Sequence, residues 1–314
     1  MLPFAMLIVK VSQPIIRIML EETATTTPQS AQSEGVGRVY RQRFDCEMGL
    51  MLEHDPLAIE EPLQISVQWQ DTATQILHTQ EWSMTMRTPG DDVHLIRGLL
   101  LSQQIVDSLD QILNIEMADE EACNADNHWL VTLNHQQAMR IQGQERRYVS
   151  HSSCGICGLT SIKALALHRE IRVDSETDWL TSDTVMHLPA MLASRQPLFA
   201  ETGAVHGAGY FAGGEFIAAA EDVGRHNAVD KLIGRVVSEQ RWHPQGVLIL
   251  SGRVSFELMQ KAAIAHIPVV VAVGAPSKLA VDMARQFDIT LIGFTKRQQF
   301  NIYHGRSRLQ SVRK

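Results

Sequence analysis

The chain has 314 residues, 45% of them hydrophobic, enough to bury a full core and to divide into two lobes. Its formal charge of -7 argues against a general nucleic-acid binder, which needs a basic surface. The sign is uneven, because from Phe294 onward Lys296, Arg297, Arg306, Arg308, Arg313 and Lys314 meet no acidic residue. That end is either a solvated tail or a local site for an anionic ligand.

In chain order, "MLPFAMLIVKVSQPIIRIML" is interrupted by Lys10 and Arg17 and falls short of a membrane span. It lacks the basic start and the small-residue cleavage pattern of an export signal. "EETATTTPQSAQSEGVG" then has a linker's composition, so residues 1–37 are expected to form a disordered tail. With four cysteines and no export signal, the expected place is the cytoplasm, away from membranes.

Residues 38–145 read as a smaller β-rich N-terminal lobe. "LQISVQW" and "HWLVTLN" are strand-like, and "DDVHLIRGLLLSQQIV" between them is a helix entered from Pro89-Gly90, with Asp91 and Asp92 at its positive end. Residues 146–314 read as an α/β C-terminal lobe carrying a C-x-x-C loop. There "AVHGAGYF" and "EFIAAAE" flank Gly213-Gly214 as a hairpin. Val229, Leu232, Ile233, Val236 and Val237 then mark an amphipathic helix, on which Arg225 and His226 fall nearer the buried side than Asn227 and Lys231 do. "GVLILS", "PVVVAVGA" and "ITLIGF" are strands alternating with helices at "FELMQKAAIAHI" and "SKLAVDMARQFD", the latter with Leu279, Met283 and Phe287 on one face. The pattern predicts a layered α/β sheet, parallel in this part.

Ligands of open α/β sheets bind beyond the carboxyl ends of the strands. Three strand-to-helix junctions carry suggestive residues: Arg225 and His226; Ser251, Gly252 and Arg253; and Gly274, Ser277 and Lys278. Each has a structural alternative: Ser277 as an N-cap, Gly252 as a turn, Arg225 paired with Glu221 or Asp222. Together with the basic end they outline an anion pocket. His226 and Asp230 have the i, i+4 spacing of metal ligands, or of a hydrogen-bonded pair.

"HSSCGICGLT" holds Cys154 and Cys157, each followed by glycine. A structural zinc site needs four ligands, and here His151 gives at most a third, since Cys46 and Cys123 stand alone. The order of a zinc deaminase signature is absent too, so no metal is expected. A thioredoxin-like dithiol stays open, although this pair lies mid-chain in a glycine-flanked loop instead of opening a helix. Mobility of such a loop suits carrying sulfur better than holding metal.

"SSCGICG", "EDVGRHNAVDKLIG", "SGRVSFELMQKAA", "PVVVAVGAPSKLAV", "LIGFTKRQQFNIYHG" and "MTMRTPGDDVHLIRGLLLS" closely resemble the FdhD family of formate dehydrogenase accessory sulfurtransferases, in order over residues 38–308. The resemblance implies a C-terminal lobe similar to cytidine deaminases without their zinc, usually in a homodimer. It implies a sulfur carrier that takes sulfane sulfur from a cysteine desulfurase as a persulfide on Cys154, with Cys157 assisting. The acceptor is the molybdenum cofactor in its bis-guanine-dinucleotide form, before insertion into formate dehydrogenase or a related molybdoenzyme. The family's cofactor contact maps onto Phe294, Thr295, Lys296, Arg297, Gln298 and Gln299. Departures are Gln298-Gln299 for the usual Gly-Arg, "LSQQIV" for "LSEGII", and Glu201 for threonine. A cofactor-binding chaperone without sulfur transfer and a dithiol oxidoreductase are the competing functions.

Overall fold

The structure, a computed structural model, describes residues 35–118, 127–145 and 173–310. These contain twelve strands and seven α-helices in two larger sheets and one two-stranded ribbon. The ribbon comes first, as β1 (Val36–Asp45) and β2 (Gly49–Ala58), paired antiparallel. β1 therefore begins two residues before the expected start of the N-terminal lobe at residue 38.

The first sheet has the order β4-β3-β6-β5, from β3 (Glu61–Gln70), β4 (Leu77–Arg87), β5 (Ile112–Met117) and β6 (His128–Leu133). β3 and β6 run parallel, and the outer pairs are antiparallel. Alternating residues Leu63, Ile65, Val67 and Trp69 bury one face of β3 against Leu95, Ile96, Leu99 and Leu100 of α1 (Asp92–Ser102). α2 (His135–Glu145) adds Ala138 and Ile141 to the same core.

α1 stops four residues before the helix expected from its pattern. Gln104 donates to the Leu101 carbonyl and Ile105 to the Leu100 carbonyl, a Schellman closure, with Gln104 at φ 57°. Ile105 and Val106 are buried all the same, so the apolar pattern outlasts the helix.

The second sheet has the order β12-β11-β10-β9-β7-β8. Its strands are β7 (His206–Ala212), β8 (Glu215–Asp222), β9 (Val247–Leu250), β10 (Val269–Ala272), β11 (Thr290–Lys296) and β12 (Gln299–His304). The centre, β9-β10-β11, is parallel as expected, whereas β7, β8 and β12 are antiparallel additions. The β7–β8 turn is Gly213-Gly214, both at positive φ (59° and 84°), where glycine carries no Cβ clash.

α5 (Arg225–Ser238), α6 (Phe256–Ile264) and α7 (Lys278–Gln286) share one core with one face of this sheet. On the other face α3 (Ser182–Ala193) inserts Val185, Leu188 and Leu192 against Val247, Ile249, Val269 and Val271. β9 and β10 are buried on both faces, which is why they read as unbroken apolar runs. The short α4 (Pro197–Thr202) sits beside β2, where Glu201 meets Arg38 at 3.8 Å.

Two face assignments differ from those expected. On α7 the buried residues are Ala280, Val281, Met283 and Ala284, while Leu279 is exposed. On α5, Asn227 and Lys231 are buried, whereas Arg225 and His226 stay half-open. α5 is covered twice, by its own sheet and by α1, so the face opposite Val229 is an interface and not a solvent surface. There Asn227 Nδ2 donates to the Met86 carbonyl (2.8 Å), and Lys231 Nζ meets the Thr88 carbonyl (2.7 Å) and Asp222 (2.8 Å).

Candidate anion site at the carboxyl ends of the strands

The site grows from the antiparallel pairing of β7 with β9, which sets the first residues of β7 at the carboxyl end of β9. Ser251 N–H donates to the Gly207 carbonyl (3.0 Å), and Ser251 Oγ accepts from Gly207 N–H (2.9 Å). The backbone then steps sideways across the sheet. Gly274 N–H donates to the Gly252 carbonyl and Phe294 N–H to the Gly274 carbonyl, both at 3.1 Å. A Cβ on Gly274 would lie 2.7 Å from the Gly252 oxygen, so only glycine lets these two junctions meet.

Around this step stand His206, Arg225, His226 and Arg253. Burial first, then the charges of Arg225, His226 and Arg253, hold the His206 imidazole below its ordinary pKa, against a smaller opposing pull from Asp222. Arg225 takes neither carboxylate expected of it. Glu221 instead accepts from Leu198 and Phe199 N–H (3.0 and 2.9 Å), and Asp222 holds Lys231. Arg225 Nε is buried without a hydrogen-bond partner among the described residues. Arg225 opens α5, whose N-cap, Gly224, offers no side-chain cap to the helix's positive end.

His226 and Asp230 do not form a pair. His226 Nε2 lies 2.6 Å from Glu257 Oε2 and 3.2 Å from Ser255 Oγ, while Asp230 is held by Lys261 (2.7 Å) and Ser102 (2.8 Å). No group of three or more metal-ligating side chains occurs among the described residues. Cys154, Cys157, His151 and Cys123 lie outside the described residues. Cys46 is exposed at the β1–β2 turn.

The six residues expected to contact cofactor lie along the end of β11 and the turn into β12. Phe294 stands at φ 52°, a conformation uncommon for a bulky residue, and is exposed. The bulge between Gly293 and Lys296 turns Thr295 inward, with its hydroxyl buried and unpartnered among the described residues. Lys296, Arg297, Gln298 and Gln299 are exposed, Lys296 facing Gln299 across the pair. Through the Phe294–Gly274–Gly252 contacts this hairpin adjoins the Arg225, Arg253 and His206 group.

The basic end divides. Arg308 is buried and bonds the carbonyls of Asp174 and Asp288 and the Thr290 hydroxyl, so it belongs to the core, whereas Lys296, Arg297 and Arg306 face outward. Ser277 is the N-cap of α7, accepting from Ala280 N–H at 3.1 Å, and Lys278 makes an exposed pair with Asp282. His206, Ser255 and Glu257 have no sequence signal, because only the tertiary fold brings His206 to Arg225 and sets Ser255 and Glu257 against His226.

The FdhD/NarQ family model matches residues 58–310. A Nocardia farcinica protein named sulfur carrier protein FdhD is 38% identical over 269 residues, covering 84% of this chain and 91% of that protein. A Thermoplasma acidophilum protein of the same name is 36% identical over 257 residues, covering 81% and 87%. The fold resembles a crystal structure from Desulfotalea psychrophila, described as a formate dehydrogenase accessory protein. Its TM-score is 0.64 at 20% identity, over 88% of this chain and 99% of that one.

Proposed function

This chain belongs to the FdhD/NarQ family, and we propose that it is a sulfur carrier in the maturation of formate dehydrogenase or a related molybdoenzyme. A cysteine desulfurase loads Cys154 with sulfane sulfur as a persulfide. The acceptor, a substrate and not a resident group, is the molybdenum cofactor in its bis-guanine-dinucleotide form. Cys157 assists release. Its thiolate attacks Cys154 Sγ, the bond to the outer sulfur breaks, and that sulfur leaves as hydrosulfide toward the acceptor. A disulfide remains for a cellular thiol to reduce. The protein works in the cytoplasm as a homodimer, with a C-terminal lobe layered like a cytidine deaminase and without zinc.

The observation that carries this reading is the convergence of Arg225, Arg253 and His206 beside the 294–299 hairpin, with Arg225 Nε buried and unpartnered among the described residues. An acidic protein keeps such a cluster for an anion. The cofactor brings phosphates, which suit the arginines and the uncapped end of α5. It also brings guanines, which suit the exposed Phe294 ring flanked by Lys296 and Arg297.

Intact mass after incubation with a cysteine desulfurase and cysteine tests the sulfur half. The wild-type chain gains one sulfur, Cys154→Ala gains none, and Cys157→Ala gains it but fails to activate the client. Loading that is lost in Cys157→Ala alone places the persulfide on the second cysteine. Absence of any added sulfur on the wild-type chain leaves a cofactor-binding chaperone, and catalytic reduction of a disulfide substrate leaves an oxidoreductase.

A further inference from the structure

An acid stands inside the basic site. Glu257 lies in the first turn of α6, and its Oε2 is 2.6 Å from Nε2 of His226, the residue after Arg225. A carboxylate only accepts, so Nε2 donates and Glu257 fixes the ring proton there. Ser255 holds the N-cap position of α6 but gives it no side-chain cap; its hydroxyl lies 3.2 Å from the same Nε2 instead. The second carboxylate oxygen, Oε1, is buried without a hydrogen-bond partner among the described residues. A tie between α5 and α6 needs no charge at this place, because a neutral glutamine accepts the same N–H. The charges of the surrounding elements are few. Arg225 of α5 is half-open and Arg253, between β9 and α6, is exposed, and neither makes a salt bridge among the described residues. Asp222, at the end of β8, is offset by Lys231 at 2.8 Å. His206, at the start of β7, is held neutral by burial and by its basic neighbours. His226, when charged, is offset by Glu257, and when neutral it leaves the carboxylate in excess. Lys296 and Arg297 are exposed on the adjoining hairpin, where water and salt screen them. The two arginines are therefore the only uncompensated positive charges at the centre of the site among the described residues.

We propose that Glu257 is a specificity-determining residue, which sets the charge of this site for a pyrophosphate diester and turns away nucleotides that end in a free phosphate. The inference rests on the reading of this cluster as the cofactor's phosphate site and adds what the site refuses. A dinucleotide joins its halves through two bridged phosphates, each with a single negative charge, and Arg225 and Arg253 match the pair. A terminal phosphate carries about 1.5–2 negative charges instead. The surplus meets the Glu257 carboxylate, which is partly buried and so poorly screened. Attraction alone gives the opposite order, since two arginines hold the more highly charged ligand better. Discrimination against it needs a repulsive group beside the attractive ones, and Glu257 is that group. A carrier that works among free nucleoside diphosphates and triphosphates is otherwise occupied by them.

Calorimetry of the full chain with guanosine diphosphate and its β-methyl ester tests the proposal, because the two probes differ by a methyl group and one charge. At about pH 8 the terminal phosphate is ionised and His206 is neutral. The wild type should bind the ester about tenfold more tightly than the diphosphate, the effect of one extra charge facing a nearby carboxylate. Glu257→Gln keeps the shape and the acceptor for His226, and it should bring the ratio to about one by tightening the diphosphate. Glu257→Asp retains the charge and should retain the preference. A tie that is only structural would weaken both probes alike and leave their ratio unchanged. A wild type that binds the two equally, or the diphosphate better, overturns the proposal without recourse to any variant. A preference that survives in Glu257→Gln overturns the part given to Glu257. Binding of neither probe overturns the phosphate site itself, and the proposal with it.

Discussion

His206 sits among Arg225, His226 and Arg253 with its imidazole held neutral by burial and by their charge. The sign of the pH dependence follows from that. Its folded pKa is depressed, so the unfolded chain binds more protons between the folded value and the ordinary one of about 6.5, and stability rises with pH across that window and is lost as the pH falls through it. A bound phosphate reverses the local field and favours the imidazolium. Binding of guanosine diphosphate should therefore tighten as the pH falls and the complex takes up a proton at His206, and His206→Gln should flatten the profile when followed by calorimetry. Arg225→Ala and Arg253→Ala should each weaken binding by about 1.5–3 kcal/mol, the worth of a charge-assisted contact. Affinity unchanged in both at low salt would place the phosphates elsewhere. At this scale the sequence was legible in position, since Arg225 and Arg253 do stand at strand-to-helix junctions. It was opaque where a second element decides exposure. Lys231 looks like a solvated residue on an amphipathic helix, yet it is buried, bonded to the Thr88 carbonyl and paired with Asp222.

Among the elements, those with two buried faces or one strong stripe could be read directly: β9, β10, β11 and α5 obey the rules that apolar runs and helical spacing encode. β1 and β2 could not, because both faces are largely open and alternation has no core to point at. Helix ends were the other failure. α1 closes with Gln104 in the left-handed region, at the position where the family resemblance gives glycine. A side chain there costs about 1–2 kcal/mol relative to glycine. Gln104→Gly should therefore raise stability by about 1 kcal/mol in urea unfolding, with the slope of the transition unchanged. A loss of stability would mean that the Gln104 side chain makes a contact worth more than the backbone strain.

At the scale of the whole molecule, two sheets with separate cores are joined through α1 and α5. These helices meet through glycines: a Cβ on Gly98 would lie 1.9 Å from the Asp230 carbonyl oxygen, and one on Gly234 would lie 1.9 Å from that of His94. Such contact brings backbones closer than side-chain packing allows. Polar bridges seal the same seam. Lys231 reaches the Thr88 carbonyl, Asp222 accepts from Thr88 N–H (3.1 Å), and Asp230 takes the Ser102 hydroxyl. Lone glycines inside helices are a weak sequence signal, since each costs about 1 kcal/mol in propensity and the compensating contact lies more than a hundred residues away. The seam also matters for the anion site, because Arg225 and His226 begin the same α5 whose later turns lie against α1. The two sheets should accordingly unfold together, with calorimetric and van't Hoff enthalpies equal. Gly98→Ala inserts a methyl group where a carbonyl oxygen already sits, and no rotamer can relieve it. It should cost about 3 kcal/mol, roughly 10 °C in Tm, and separate the single transition into two. A Gly98→Ala chain that melts in one transition at the wild-type temperature would mean that the helices can part without cost, and that the joint between the sheets lies elsewhere.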